Sequence, residues 1–207
     1  MNVNLTVIDN FLSDEDSKFC RNNIDKLFKG DKYIGGNGRS EWSTIESLSL
    51  SSSELGKFVN KIINIYKPIK DLSWVKTVEY WTHILVHPND VPDIKGKKFD
   101  RLDWHTNYND QTDRTDTVVP PLSVIYYVEY RNREDNNINN VPGGWLEISP
   151  KSLYDNPGNG PGEVERIKTK TNRLVMFNPS YWHRVTNVLG YRYAVSIDLW
   201  NITGIKS

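Results

Sequence analysis

The sequence predicts an α+β fold, mainly β, in which two N-terminal helices support one face of a β-sandwich or barrel. Two observations carry this. Apolar residues recur at helical spacing in two segments before residue 70, and beyond Trp74 the period changes to two. From there to Trp200, short β-rich runs follow one another at hairpin spacing with polar stretches between them.

The first helix begins after Ser13, where Asp14, Glu15 and Asp16 form an acidic first turn and a capping-box-like start. Phe19, Cys20, Ile24, Leu27 and Phe28 then follow at helical spacing towards an end near Gly30. A second helix starts at Ser52 or Ser53, carries Leu55, Phe58, Val59, Ile62, Ile63 and Tyr66 on one face, and stops at Pro68. In the first strand Val75, Thr77, Glu79 and Trp81 alternate with Lys76, Val78, Tyr80 and Thr82, and the run continues to Val86 before His87-Pro88 interrupts it. Further strands are expected over Leu102–Thr106, Leu122–Arg131, Trp145–Ile148, Glu163–Lys168, Arg173–Phe177, His183–Thr186 and Tyr191–Trp200. Three polar stretches separate them, Asn89–Lys98, Asn107–Thr117 and Asn132–Asn140, and loops of this length on a rigid scaffold commonly carry function. With no repeat and no linker, residues 1–207 read as one domain, the helical support over about 13–70 and the β core over about 75–201.

Composition narrows the function classes. The 207 residues are 37% hydrophobic and 12% aromatic, enough for a sizeable core. Lys plus Arg equals Asp plus Glu at 26 each, so no global field draws the chain to nucleic acid or a membrane surface. Partners must be recognised locally. Cys20 is the single cysteine, which excludes an internal disulfide and fits a reducing compartment. Met1–Asp9 lacks the basic start and apolar core of a signal peptide, and no apolar stretch is long enough to span a bilayer, so a soluble, cytoplasmic protein is expected.

The end of the chain brings two functional groups to one face. If a loop centred on Val188 and Leu189 and ending in Gly190 joins the last two strands, Thr186 pairs with Tyr191 and His183 with Ala194. His183, Val185, Arg192, Ala194 and Ser196 then share a face. A guanidinium there can grip a carboxylate through two parallel hydrogen bonds, with small Ala194 and Ser196 leaving room beside it.

The order Trp104-His105-x-Asn107, Ser123-Val124-Ile125-Tyr126-Tyr127, Gly143-Gly144-Trp145-Leu146, His183 and Arg192-Tyr193-Ala194 resembles the Fe(II)/2-oxoglutarate dioxygenases. It is most similar to the prolyl hydroxylases, especially the hypoxia-inducible-factor type. The nine-residue step from His183 to Arg192 is the most specific part, and the opening Val7-Ile8-Asp9-Asn10-Phe11-Leu12 suits the same branch. The resemblance implies a double-stranded β-helix, or jelly roll, behind N-terminal helices. It implies His105 and His183 as metal ligands, Arg192 on the far carboxylate of 2-oxoglutarate with Tyr127 assisting, and Ile125 and Ser196 lining the same pocket. His87 falls where the hypoxia-type enzymes carry another tyrosine on the co-substrate side. Tyr126 points to the opposite face as core, and Trp104 and Trp200 serve as wall or core. The implied cofactors are Fe(II), 2-oxoglutarate and O₂, with ascorbate as an accessory reductant, and the implied reaction couples decarboxylation of the keto acid to hydroxylation of a prime substrate. A prolyl residue in a peptide or protein is the first choice of substrate, and a free amino acid or other small molecule the second. Lys95, Lys97, Lys98 and Arg101 make one polar stretch locally basic, able to meet an acidic peptide.

Asn107 departs from the family pattern, in which His-x-Asp supplies a carboxylate. An amide oxygen can reach a metal but lacks the charge that helps hold a hard dication. Three readings follow: a neutral oxygen ligand in a weaker site, a substitution that traps an inactive state, or a jelly roll that has left catalysis and only binds. A halogenase, in which a small residue leaves space for a halide, fits the bulk of Asn poorly. Asp103 and Asp110 are nearby carboxylates, each needing an unusual backbone path to reach the ion.

Overall fold

The computed structural model describes residues 4–28, 40–87, 101–107, 119–132, 143–152 and 162–202. Pro88, most of the three polar stretches, Gly30, Asp110 and the lysines at 95, 97 and 98 lie outside the described residues.

Helix α1 (Asp14–Asn22) starts as the sequence predicts, with the Ser13 side chain accepting a hydrogen bond from the Asp16 backbone N–H. It does not run on to Phe28. Asn23 donates from its side chain to the Phe19 carbonyl at 2.9 Å, competing with the helical ladder, and a separate turn, α2 (Ile24–Leu27), follows. Phe19 is exposed at 64%, whereas Cys20, Leu27 and Phe28 are buried. A further short helix, α3 (Ile45–Leu48), is closed by a Thr44/Ser47 capping box. Helix α4 (Glu54–Tyr66) is capped by Ser53 and buries Leu55, Phe58, Val59, Ile62, Ile63 and Tyr66, the face that its periodicity predicts.

The strands are β1 (Leu5–Asp9), β2 (Glu41–Thr44), β3 (Thr77–Val86), β4 (Leu102–His105), β5 (Leu122–Asn132), β6 (Leu146–Ser152), β7 (Glu165–Ile167), β8 (Arg173–Phe177), β9 (Tyr181–Val185) and β10 (Gly190–Trp200). They form two antiparallel sheets, a six-stranded one ordered β1-β8-β5-β10-β3-β2 and a four-stranded one ordered β4-β9-β6-β7. This is the mainly β, double-stranded β-helix arrangement with helical support. Strands β1 and β2 were not foreseen. Both are short edge strands whose pairing partners are set by tertiary contact rather than by their own pattern.

Alternation on the large sheet separates two cores. Val124, Tyr126, Val128, Val195, Ile197 and Leu199 pack against the helices, while Ile125, Tyr127, Phe177 and Ala194 pack between the sheets with Leu146 and Ile148. Gly143 and Gly144 lead into β6 with positive φ, and a Cβ on either would meet Asn187 O at 2.2 Å or the Tyr130 hydroxyl at 2.7 Å. That close approach lets the strand enter beside the β9–β10 connection.

The expected β9–β10 hairpin is not formed. β9 pairs with β4 and β6 in the small sheet, and β10 pairs with β3 and β5 in the large one. His183 is therefore opposite His105, not Ala194. The connection crosses between sheets because His183 and Arg192 belong to facing layers, so they reach one space from opposite walls. Among the described residues no helix is long and apolar enough to cross a membrane.

Edge strand β1 is fastened by Asp9, which accepts from Arg173 Nε at 2.6 Å and Nη2 at 3.0 Å and from Lys170 at 3.1 Å. The Arg173 hydrogen bond, helped by Lys170 and opposed by burial, lowers the Asp9 pKa to about 2. Because the folded value lies below the usual one, the stabilisation is present above about pH 4 and is lost as pH falls through about 2. Asp9→Asn is expected to cost about 0.5–1 kcal/mol at pH 7 after solvent screening, with the difference from the parent shrinking towards zero near pH 2. Urea melts of both proteins across that range would check it.

Candidate metal centre

Strand pairing brings the first two candidate ligands together. His105 at the end of β4 and His183 on β9 are register partners, so both rings project from the same face of the small sheet, their centroids 4.2 Å apart. Each ring is oriented from behind. His105 Nδ1 lies 2.7 Å from the Asp103 carbonyl and His183 Nδ1 lies 2.9 Å from the Tyr181 carbonyl. A carbonyl can only accept, so each Nδ1 carries the proton and each Nε2 keeps a lone pair for an ion. Burial lowers the pKa of both rings, for His183 well below the usual value, with the neighbouring His105 charge adding to it. Both imidazoles are thus neutral at pH 7, the form that ligates.

Asn107 follows two residues beyond His105, its backbone N–H donating to Pro179 O at 3.2 Å. Its side-chain Nδ2 donates at 3.2 Å to Ser123 Oγ and at 3.2 Å to each carboxylate oxygen of Asp198. Ser123 also donates to Asp198 through a short hydrogen bond. Asp198 is buried, which pushes its pKa up to about 8 against the Ser123 bond, with Glu79 raising it further and Asn107 opposing. Glu79, its register partner on β3, is pushed by burial to about 7.

The large sheet supplies the opposite wall. Arg192, Ala194, Ser196 and Asp198 alternate along β10 on the inward face, with Ile125 and Tyr127 beside them on β5 and Trp81 and His83 on β3. Arg192 is 1% exposed, and its Nε and Nη1 have no hydrogen-bond partner among the described residues. The guanidinium lies over the Tyr127 ring, 5.0 Å from its centroid, and the Tyr127 hydroxyl is likewise buried and unpartnered. A buried cation without an anion is costly, by several kcal/mol as a rough scale, so this arrangement calls for a carboxylate or a similar anion. Trp81 donates to His83 Nε2 at 2.6 Å, which places the His83 proton on Nδ1, another buried donor without a partner.

His105, Asn107, His183, Arg192, Ser196, Ile125 and Asp198 line one inner cavity of about 20 Å³, room for about one water. Beside it opens a cleft of about 380 Å³ walled by Glu79, Trp81, Asp103, His105, Asn107, Asp198 and Trp200. His87 lies just past β3 with its backbone N–H on Gly190 O at 3.0 Å, and it is not among the residues lining either space. Tyr126 turns to the helices, where its hydroxyl donates to Asn172. Trp104 packs under the Arg184 guanidinium at 4.7 Å, while Trp200 is buried at the cleft wall. Sequence reasoning missed His83 and Asp198. The signal was present: the phase that groups Thr77, Glu79 and Trp81 continues to His83, and the phase of Arg192, Ala194 and Ser196 continues to Asp198.

Neither a protein-family model nor a curated protein sequence matches the chain. Solved structures do. A prolyl-4-hydroxylase from Pseudomonas putida is 13% identical with a TM-score of 0.54, over 96% of this chain and 93% of that one. A prolyl hydroxylase from Trichoplax adhaerens, solved in complex with a hypoxia-inducible-factor oxygen degradation domain peptide fragment, is 14% identical with a TM-score of 0.55, over 95% and 83%. Iron-bound HygX from Streptomyces hygroscopicus is 11% identical with a TM-score of 0.54, over 96% and 82%. At these identities the likeness is one of fold, and it agrees with the two sheets and helical support described above.

The donor set fits a divalent ion: two neutral imidazoles with oriented lone pairs, and an amide whose nitrogen is already engaged, leaving its oxygen as the donor atom. His105→Ala and His183→Ala should each weaken Co(II) binding by more than about 100-fold, beyond the range of outer-sphere substitutions. Anaerobic titration followed by the visible absorption of bound Co(II) would measure it.

Proposed function

We propose that the chain is a non-heme Fe(II)/2-oxoglutarate-dependent oxygenase, one domain over residues 1–207, that hydroxylates a prolyl residue in a peptide or protein. The observation that carries this reading is Arg192, a buried guanidinium with unpartnered nitrogens lining the cavity that His105 and His183 also line. The prolyl choice is supported by the fold shared with the two prolyl hydroxylases, one of them solved with a peptide fragment.

When bound, Fe(II) with 2-oxoglutarate and O₂ supplies oxidative decarboxylation of the keto acid to succinate and CO₂, coupled to hydroxylation of the prime substrate. The chain's own groups bind, orient and shield. His105 and His183 hold the ion through Nε2, and the Asn107 oxygen offers a third donor. Arg192 and the Tyr127 hydroxyl hold the distal carboxylate of the co-substrate, and the His83 Nδ1–H adds a donor in the same wall. Ile125, Leu146, Phe177 and Val185 line the cavity with apolar surface and exclude water, which strengthens every polar contact inside. A free volume of about 20 Å³ cannot take a five-carbon diacid, so co-substrate entry requires the wall to give.

A second reading is favoured by the adjoining cleft. Trp81 and Trp200 wall that cleft beside the carboxyl groups of Glu79, Asp103 and Asp198, a mixture of indole faces and hydrogen-bonding groups that suits a small polar substrate such as a free amino acid.

Arg192→Ala should raise the 2-oxoglutarate dissociation constant at least about 30-fold, because truncating one partner of a buried charge pair costs roughly 2 kcal/mol or more. Co(II) affinity should stay within about threefold, since Arg192 contacts the co-substrate and not the ion. Succinate formation from 2-oxoglutarate, with peptide and with small-molecule substrates, tests the activity itself. An unchanged co-substrate affinity in the variant would overturn the assignment.

A further inference from the structure

We infer that Asp198 is the positioning residue of the metal centre, fixing the Asn107 amide from outside the coordination sphere so that its oxygen faces the ligand space. The inference rests on the metal-centre reading above. Among the described residues no three His, Cys, Asp or Glu side chains come close enough together to hold an ion, so Asp198 is not a direct third ligand beside the two imidazoles. It instead holds the group that is. Both carboxylate oxygens of Asp198 accept from Asn107 Nδ2 at 3.2 Å, and Ser123 Oγ accepts from the same nitrogen at 3.2 Å.

A planar amide has its nitrogen and oxygen on diverging directions from one carbon. With the nitrogen fixed to Asp198 and Ser123, the oxygen is turned away from β10, and Asn107 lines the same cavity as His105 and His183. The hydrogen bonds to a carboxylate also polarise the amide, placing more electron density on its oxygen and making it a better donor.

Charge bookkeeping leads to the same residue. Two imidazoles and an amide leave a bound dication uncompensated in a buried space, which is unfavourable unless an anion lies near. Asp198 is 2% exposed and is fixed by a second donor, Ser123, on the neighbouring strand. Asp198, buried, pinned and one amide away from the ligand position, is the carboxyl group that a bound dication would favour in its anionic form. The two positions then form an exchangeable pair: amide at 107 with carboxylate at 198, or carboxylate at 107 with amide at 198, preserve the same hydrogen bond and the same net charge.

That exchange is the test. Co(II) dissociation constants would be measured for the unaltered protein, Asp198→Asn, the double variant Asn107→Asp/Asp198→Asn, Ser123→Ala and His183→Ala, with apo melting curves for each. Asp198→Asn should weaken Co(II) binding about 10- to 100-fold, the range for loss of an outer-sphere partner, and the double variant should return to within about threefold of the unaltered protein. Ser123→Ala, which keeps the Asp198 side chain but removes its second anchor, should weaken binding about 10-fold, and it carries the test should Asp198→Asn fail to fold. Unchanged affinity in Asp198→Asn and Ser123→Ala, or a double variant as weak as Asp198→Asn, would overturn the inference while His183→Ala still loses metal. If the unaltered protein binds Co(II) no better than His183→Ala, the metal-centre reading fails and this inference fails with it.

Discussion

The strict alternation of β10 is the constraint on which the rest of the structure depends. Central in the large sheet, between β5 and β3, this strand must satisfy two different solvents at once. Val195, Ile197 and Leu199 enter the helix-facing core, while Arg192, Ala194, Ser196 and Asp198 face the gap between the sheets. A slip of one residue would drive a guanidinium and a carboxylate into the packing surface of α4 and expose three aliphatic side chains to the polar cavity, so register here is strongly specified. The helices thus do more than cover a sheet. Their apolar faces fix the register that aims the charged groups inward.

The two sheets divide the chemistry. The small sheet contributes paired imidazoles, which are oriented by backbone carbonyls from their own strands' neighbourhood, and the large sheet contributes a guanidinium at 192 and a carboxyl group at 198 on one strand. Residues 192 and 198 are six positions apart on an extended strand, roughly 20 Å, so they do not neutralise one another across the cavity. Each needs a partner of its own. Asp198 has Asn107 and Ser123, while Arg192 has, among the described residues, the face of Tyr127, which leaves its end of the cavity suited to an anionic ligand.

Period and cap chemistry made α4 and β8 legible to the residue or nearly so, because Ser53 and the apolar stripe of α4, and the continuous run Arg173–Phe177, have few competing solutions. The first helix was read too long, since Asn23 can be either an interior residue or a terminator and only its bond to the Phe19 carbonyl decides. Parity correctly assigned Arg192, Ala194 and Ser196 to one face but could not say which strands lie beside them. Side-chain alternation is a property of one strand, whereas pairing is a property of two, and the short β9–β10 connection serves a jump between sheets as readily as a hairpin. His183 and Arg192 meet the same cavity under either arrangement, so a correct convergence was reached through an incorrect pairing. Alternation already put Asp198 in phase with Arg192, Ala194 and Ser196, but nothing local to Ile197-Asp198-Leu199 reports that Asn107 and Ser123 lie against it.

Asn107 takes on a different meaning once its surroundings are known. Read alone, an amide where the family pattern has a carboxylate is a loss of charge and therefore a weakened or abandoned centre. Beside Asp198 the opposite substitution would be the troubled one, because a carboxylate at 107 would face a second buried carboxylate at hydrogen-bond distance, and two such groups can be accommodated only by sharing a proton. The amide avoids that conflict by presenting a donor to Asp198 on one side and an acceptor to the ligand space on the other. Its identity follows from the residue at 198, and position 107 cannot be judged as functional or defective without it. What the sequence motif presents as a lone amide is, in the fold, one end of a buried hydrogen-bonded group that spans Asn107, Ser123 and Asp198.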